Sequence, residues 1–217
     1  MNRSSLIYKV ILVALVTSFA GLMACQRKLT PQASCSFLQN PDLQRVSWKS
    51  DKPVALYLDT SVPSTAYSAL EAAIQVYKDT FHRDVFTIKD YAFTGHPTPT
   101  HDGYSVIYWM NTWESDRSNE QGRTTVYSSG NTIYEADMRI NDSNPQRLSF
   151  NFVATQPPAQ SDVDLKSLFI HELGHVLGLD HSQMPGSIMN PYLGDGEERD
   201  VLSSQDISHL ECEYGHS

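Results

Sequence analysis

Residues 171–181 read His171-Glu172-Leu173-Gly174-His175-Val176-Leu177-Gly178-Leu179-Asp180-His181, and this stretch decides both local structure and chemistry. Val163, Leu165, Leu168, Phe169, Leu173, Val176 and Leu177 recur at helical spacing, with Ser161 or Asp162 as the expected N-cap. The Gln156-Pro157-Pro158 breaker precedes the helix, and Gly178 stands where a left-handed stop belongs. Histidines four apart sit one above the other on a helix, so His171 and His175 can both reach one zinc ion. Glu172 is about 100° further round, close enough for its carboxylate to address a zinc-bound water. Gly178 lets the chain turn sharply, and His181 then swings back as a third nitrogen ligand. An ordinary amphipathic helix with solvated histidines is the bland alternative. By residue frequencies the full H-E-x-x-H-x-x-G-x-x-H string arises by chance in about one chain in a hundred thousand. The string reads as a zinc site.

Outward from this helix, Val54 to Leu58 reads as a buried strand between Pro53 and Asp59-Thr60-Ser61. A helix follows from about Ser64 to Phe81, with Leu70, Ala73, Ile74, Tyr77 and Phe81 on one face. Val85 to Tyr91 and Ser105 to Met110 read as strands, with the polar loops Thr94 to Gly103 and Asn111 to Gly122 after them. Thr124 to Ser128 and Thr132 to Ile140 form a hairpin around Ser129-Gly130-Asn131. In its second arm Tyr134, Ala136, Met138 and Ile140 share one face and Glu135, Asp137 and Arg139 the other. That pattern predicts a strand covered on one face only, at a sheet edge. Leu148 to Val153 is a further candidate strand, and a last helix runs from a Ser203-Ser204 cap to Tyr214. The order predicts an α+β or mixed α/β domain.

The chain has 217 residues, 40% hydrophobic and 19% charged, which excludes a disordered or coiled-coil composition. Sixteen basic against 25 acidic side chains give a net charge of -9, which argues against nucleic acid as a partner. The first 24 residues carry Arg3 and Lys9, no acid, and an apolar run from Val10 to Val16 extended by Phe19, Ala20, Leu22 and Met23. They read as a secretory signal. Leu22-Met23-Ala24-Cys25 resembles the bacterial lipobox, which implies a lipid on Cys25, attachment to a membrane and a place in the cell envelope. Gln26 after the cysteine, by that resemblance, implies the outer membrane. Plain secretion and an uncleaved anchor are the alternatives; Thr17 and Ser18 interrupt the run and leave it short of a span. The expected organisation is a signal peptide over 1–24, a lipidated N-terminus and tether over 25–45, and one domain over 46–217. With Cys25 lipidated, Cys35 and Cys212 remain, and in an oxidising compartment they most simply pair. The competing reading makes Cys35 a thiol that blocks the zinc of a latent enzyme.

The 171–181 string is identified as the metzincin signature, and its neighbours resemble the matrixin branch. Ser182 follows the third histidine, Ser187-Ile188-Met189-Asn190-Pro191 resembles the Met-turn, and Leu202 to Gly215 is similar to the closing helix. Glu135-Ala136-Asp137 is similar, more weakly, to the substrate-flanking edge strand. The resemblance implies a zincin-like fold: a twisted mixed five-stranded sheet, an active-site helix, and a small C-terminal subdomain with Met189 beneath the metal. It implies one catalytic Zn2+ held by His171, His175 and His181, with Glu172 as general base for hydrolysis of peptide bonds. Pro191 stands where astacin-like turns carry a zinc-binding Tyr, so the expected coordination is three histidines and water. No propeptide switch surrounds Cys35, and Gln205 precedes Asp206 where animal matrixins have two acids. His96, His101 and Asp102 share a loop without ligand spacing. The expectation is a monomeric zinc endopeptidase acting on proteins or peptides at or outside the bacterial envelope. Substrate is expected along Tyr134 to Ile140, with Pro191 to Glu198 shaping an apolar pocket beyond the cut. A zinc-stabilised peptide-binding or adhesion lipoprotein, and a peptidase of cell-wall peptides, are the rival readings.

Overall fold

The computed structural model describes residues 31–143, 150–154 and 156–215. The signal segment, the Leu22 to Cys25 motif and the first two residues of the Leu148 to Val153 candidate strand lie outside them; of the rest of that candidate, Phe152–Val153 is a strand. Among the described residues, no helix is long and apolar enough to cross a membrane.

Five strands form one mixed sheet: β1 Val54–Asp59, β2 Phe86–Phe93, β3 Ser105–Met110, β4 Gly122–Ser129 and β5 Thr132–Asn141, in the order β2-β1-β3-β5-β4. The first four in that order run parallel, and β4 closes the sheet antiparallel to β5. Alternation in β1 buries Val54, Leu56 and Leu58 on one face. A 3-10 turn, Ser64–Ala66, leads into helix α1, Tyr67–Phe81, which buries Ala69, Leu70, Ala73 and Tyr77. Helix α2, Leu165–Val176, packs on α1, and the buried Tyr77 hydroxyl donates to the Ile170 carbonyl at 2.7 Å. Helix α3, Ser204–Tyr214, closes the domain and starts from a capping box: Ser203 and Asp206 each accept from the other's backbone amide.

Four expectations need correction. The edge strand is β4, not the Tyr134 to Ile140 arm, which lies in β5 between β3 and β4. The polar face of β5 is buried: the loop before β3 folds over it, and backbone amides of that loop and of β3 itself satisfy the acids. Asp102 and Gly103 donate to Glu135, and Thr100 and Val106 to Asp137. Solvent was the expected partner of these carboxylates; backbone N–H groups took that place. The cap of α2 is Asp164, whose Oδ2 accepts from the Ser167 amide at 2.9 Å, not Ser161 or Asp162. Val163–Asp164 (β7) instead pairs in parallel with Phe152–Val153 (β6), which delays the helix.

The fourth correction concerns the tether. The compact unit starts at Gln32 rather than at 46. Phe37 is buried and pairs with Leu179, Leu38 N–H donates to the Gly178 carbonyl, and Arg45 reaches Glu213 in α3. These contacts make residues 32–45 part of the packed domain. Cys35 and Cys212 form a disulfide across 177 residues of sequence. Closing a loop of that length stabilises the fold by about 5 kcal/mol in the chain-entropy picture. The thiol-blocking reading of Cys35 is thereby excluded.

Candidate metal centre

Burial of Leu165, Leu168, Phe169, Ile170, Leu173 and Val176 orients α2 so that its histidines face a cleft of about 940 Å³. Gly174 is needed for close packing: a Cβ there would strike Met189 Sδ and crowd the Tyr77 hydroxyl. Gly178 ends the helix with φ +98°, and a Cβ would collide with the Val46 carbonyl. The turn that follows carries His181 back toward the helix.

The three imidazoles converge. His175 Nε2 lies 3.1 Å from His171 Nε2 and 3.2 Å from His181 Nε2. Two nitrogens each ~2.05 Å from one ion at the tetrahedral angle lie ~3.3 Å apart, so the spacing fits a shared zinc. The outer nitrogens fix the tautomers. His171 Nδ1 donates to the Ile188 carbonyl and His175 Nδ1 to the Leu179 carbonyl, both at 2.7 Å. A carbonyl only accepts, so each proton sits on Nδ1 and each Nε2 lone pair is left to coordinate. Burial, first among the causes, lowers the pKa of all three histidines, that of His175 to about 4 and that of His171 well below its usual range. They are neutral near pH 7, the form in which imidazole binds a metal. Among the described residues, this is the group of His, Cys, Asp or Glu side chains able to hold an ion together. His101 stacks on Tyr127 and packs against Tyr134 instead.

Beneath the site the Met-turn is tied to α3. Asp206, almost fully buried, accepts from Ser187 Oγ at 2.5 Å and from the Ile188 amide at 3.0 Å. The Ile188 carbonyl is the group that orients His171. One carboxylate thus joins the cap of the closing helix to the orientation of a ligand. Met189 is buried against Gly174.

Glu172 is buried at the cleft, and its Oε2 accepts from Thr124 Oγ1 at 2.7 Å. Burial raises its pKa to about 7, against the Thr124 hydrogen bond, which lowers it. Thr124 and Gly122 belong to β4, and a Cβ on Gly122 would lie 2.7 Å from Glu172 Oε1. Neither residue was singled out from sequence. The available signal was a glycine at a strand start, which marks close approach of another group.

The cleft has two walls. One is β4, whose outer edge has, among the described residues, no strand partner in the sheet. The other is the segment after the Met-turn, Asn190 to Asp195. Arg199 holds this wall by donating to the carbonyls of Asn190 at 2.9 Å, Ser187 at 3.4 Å and Tyr192. An extended chain between the walls can add to β4 through main-chain hydrogen bonds while lying over Glu172 and the histidines.

A sequence profile of the matrixin family matches residues 65–215. Over 87 residues the chain is 36% identical to matrilysin of Rattus norvegicus, covering 40% of this chain and 27% of that protein. It is 40% identical over 58 residues to metalloendoproteinase 5-MMP of Arabidopsis thaliana, covering 27% of this chain and 16% of the relative. A third relative, matrix metallopeptidase-21 of Danio rerio, is 44% identical over 59 residues, covering 26% of this chain and 10% of its own. The matched stretches span under a third of these relatives' own lengths.

Proposed function

The chain belongs to the matrixin family, and on that premise we propose that it is a zinc endopeptidase of proteins or peptides, with Glu172 as its general base. The observation that carries this reading is the convergence of three neutral Nε2 donors beside a buried carboxylate, under a sheet edge open to a peptide. His171, His175 and His181 would hold the ion. Zinc, when bound, supplies a Lewis acid for the scissile carbonyl and a water of pKa near ~7. Glu172 would take a proton from the attacking water and hand it to the leaving amine, and a carboxylate whose pKa is raised to about 7 suits both transfers. Thr124 Oγ1 occupies Oε2, leaving Oε1 toward Gly122 for the proton. The free edge of β4 aligns the substrate main chain.

The reading extends to location. A lipid on Cys25 is proposed from the Leu22 to Cys25 motif, attachment to the outer membrane of a bacterial envelope from Gln26 after it, and action as a monomer alongside them. The Cys35–Cys212 disulfide suits an oxidising compartment of that kind. The test separates base from ligands. Glu172→Ala is expected to keep close to one zinc per chain and an intact fold, while losing about 10²–10⁴-fold in peptide cleavage. His175→Ala is expected to lose zinc as well as activity. Metal content and initial rates on a peptide library and on cell-wall fragments are the measurements. Full activity in Glu172→Ala would refute the mechanism, and a zinc-loaded wild type that cuts nothing would refute the enzyme reading.

A further inference from the structure

Gln121 stands immediately before β4 and lines the cleft, as does Leu193 on the facing wall. Its Nε2 donates to the Leu193 carbonyl at 3.0 Å. One side-chain hydrogen bond therefore crosses from the strand side of the cleft to the other wall. Neither main chain is free to move apart. On the strand side, the Gln121 carbonyl accepts from the Asn141 amide at 2.9 Å, and the Glu120 carbonyl from Asn141 Nδ2 at 2.7 Å. On the other side, Arg199 holds the carbonyls of Ser187, Asn190 and Tyr192, and its own amide donates to Ser167 Oγ at 2.7 Å. Asp200 pairs with Lys166 at 3.2 Å, and the Gly196 amide donates to the Asp162 carbonyl at 2.7 Å. With both backbones pinned, the Gln121 side chain is the movable part of the bridge.

The position of the bridge along a bound peptide follows from Gly122. A Cβ there would lie 2.7 Å from Glu172 Oε1, so Gly122 faces the bond that Glu172 serves. Gln121 is one residue away from it, toward the wall that follows the Met-turn, and a chain adding antiparallel to β4, as β5 does on the strand's inner side, carries its residues past the cut in that direction. An extended chain advances ~3.3 Å per residue, so the bridge crosses the peptide's path about one to three residues past the cut. A peptide ending before it fits with the bridge closed; a longer one has to displace the amide from Leu193.

We propose that Gln121 is a specificity-determining latch that discriminates, among peptides cut at the same bond, against those whose chain runs on more than about two residues beyond it. The latch rests on the peptidase reading above and adds to it the class of substrate preferred. A neutral hydrogen bond is weak enough to open for substrate, but its loss is subtracted from the binding of long chains only.

The experiment uses the zinc-loaded protein and a set of peptides identical up to the cut, with one, two, four or six residues after it. The quantity read is the ratio of kcat/KM for the long peptides to that for the short ones. In the wild type the ratio falls below one. Gln121→Ala removes the amide, and Gln121→Glu keeps the shape while removing the donor. Both are expected to raise the ratio about tenfold, the factor that one ordinary hydrogen bond represents. Partial unfolding lowers both rates alike and leaves the ratio unmoved. An unchanged ratio in both variants overturns the latch while leaving the peptidase reading intact. A rise in Gln121→Ala alone also overturns it, because bulk and not the hydrogen bond would then be the barrier. Failure of the wild type to cut any peptide overturns the peptidase reading and the latch with it.

Discussion

Gly122→Ala places a methyl group against the general base without touching a metal ligand. The added Cβ would sit 2.7 Å from Glu172 Oε1, 3.1 Å from Cδ and 3.3 Å from Cγ. Gly122 is not among the glycines with positive φ, so alanine is compatible with its backbone. Glu172 is enclosed, with Thr124 on its other oxygen, and has to move to restore ordinary contact. Reaching ~3.4 Å requires a displacement of ~0.7 Å. A catalytic group misplaced by nearly 1 Å costs about 10²-fold, so kcat/KM is expected to fall roughly 30–100-fold, about 2–2.7 kcal/mol of transition-state stabilisation. Zinc content and the thermal midpoint should stay close to wild type. The assay is a double-mutant cycle with Glu172→Ala, read as initial rates on one peptide with metal content in parallel. If the methyl acts through Glu172, the double variant is no slower than Glu172→Ala alone. A full extra loss in the double variant would show that the methyl obstructs substrate, and wild-type rates in Gly122→Ala would show that Glu172 is not so confined. Either result refutes the reasoning.

Asp206→Asn keeps the shape of the buried side chain, but its amide faces the Ile188 and Ser203 donors; a loss of roughly 2–4 kcal/mol in urea unfolding is expected. Because Ile188 orients His171, the same variant should release zinc to a chelator faster than wild type. Tyr77→Phe removes the hydroxyl bonded to Ile170 and is expected to cost about 1 kcal/mol without changing metal content. Glu213, held by Lys49, Ser47 and Arg45, has its pKa lowered on balance, although burial, the largest single influence, opposes the shift. Its stabilisation is therefore present above the unfolded carboxylate pKa and is lost as pH falls through the lower folded value. Glu213→Gln should be less stable than wild type at pH 7, by about 1–3 kcal/mol, and the gap should shrink as pH falls below the unfolded carboxylate pKa and vanish below the folded one. A gap that persists in acid would refute the assignment.

Much of the site was legible in the sequence because its parts are local. Two histidines four residues apart share a helix face whatever surrounds them, and Gly178 turns the chain within three residues of His181. The Ser203 cap, the helix periods of α1 and α2 and the strands β1 and β3 depend likewise on neighbours in sequence. The single mixed sheet of five strands agrees with the fold class drawn from element order and family resemblance. What eluded the sequence depends on contacts between distant segments. Glu135 and Asp137 have the polarity of a solvated face, yet they are buried by a loop some thirty residues earlier that brings backbone donors. Polarity alone does not distinguish water from an amide as the partner of a carboxylate. Which arm of the hairpin lies at the edge follows from β3 pairing with β5, a long-range choice that alternation within each strand does not report. Phe37 belongs to the core because Leu179 and the Cys212 helix are there to receive it, and residues 32–45 carry no periodicity that announces this. Gly122 and Thr124 meet Glu172 only when β4 is laid across α2. Sequence by itself determined which side chains can bind a metal and move a proton; tertiary structure decided which strand edge, which buried donors and which facing wall surround them, because those are set by packing between elements far apart in the chain.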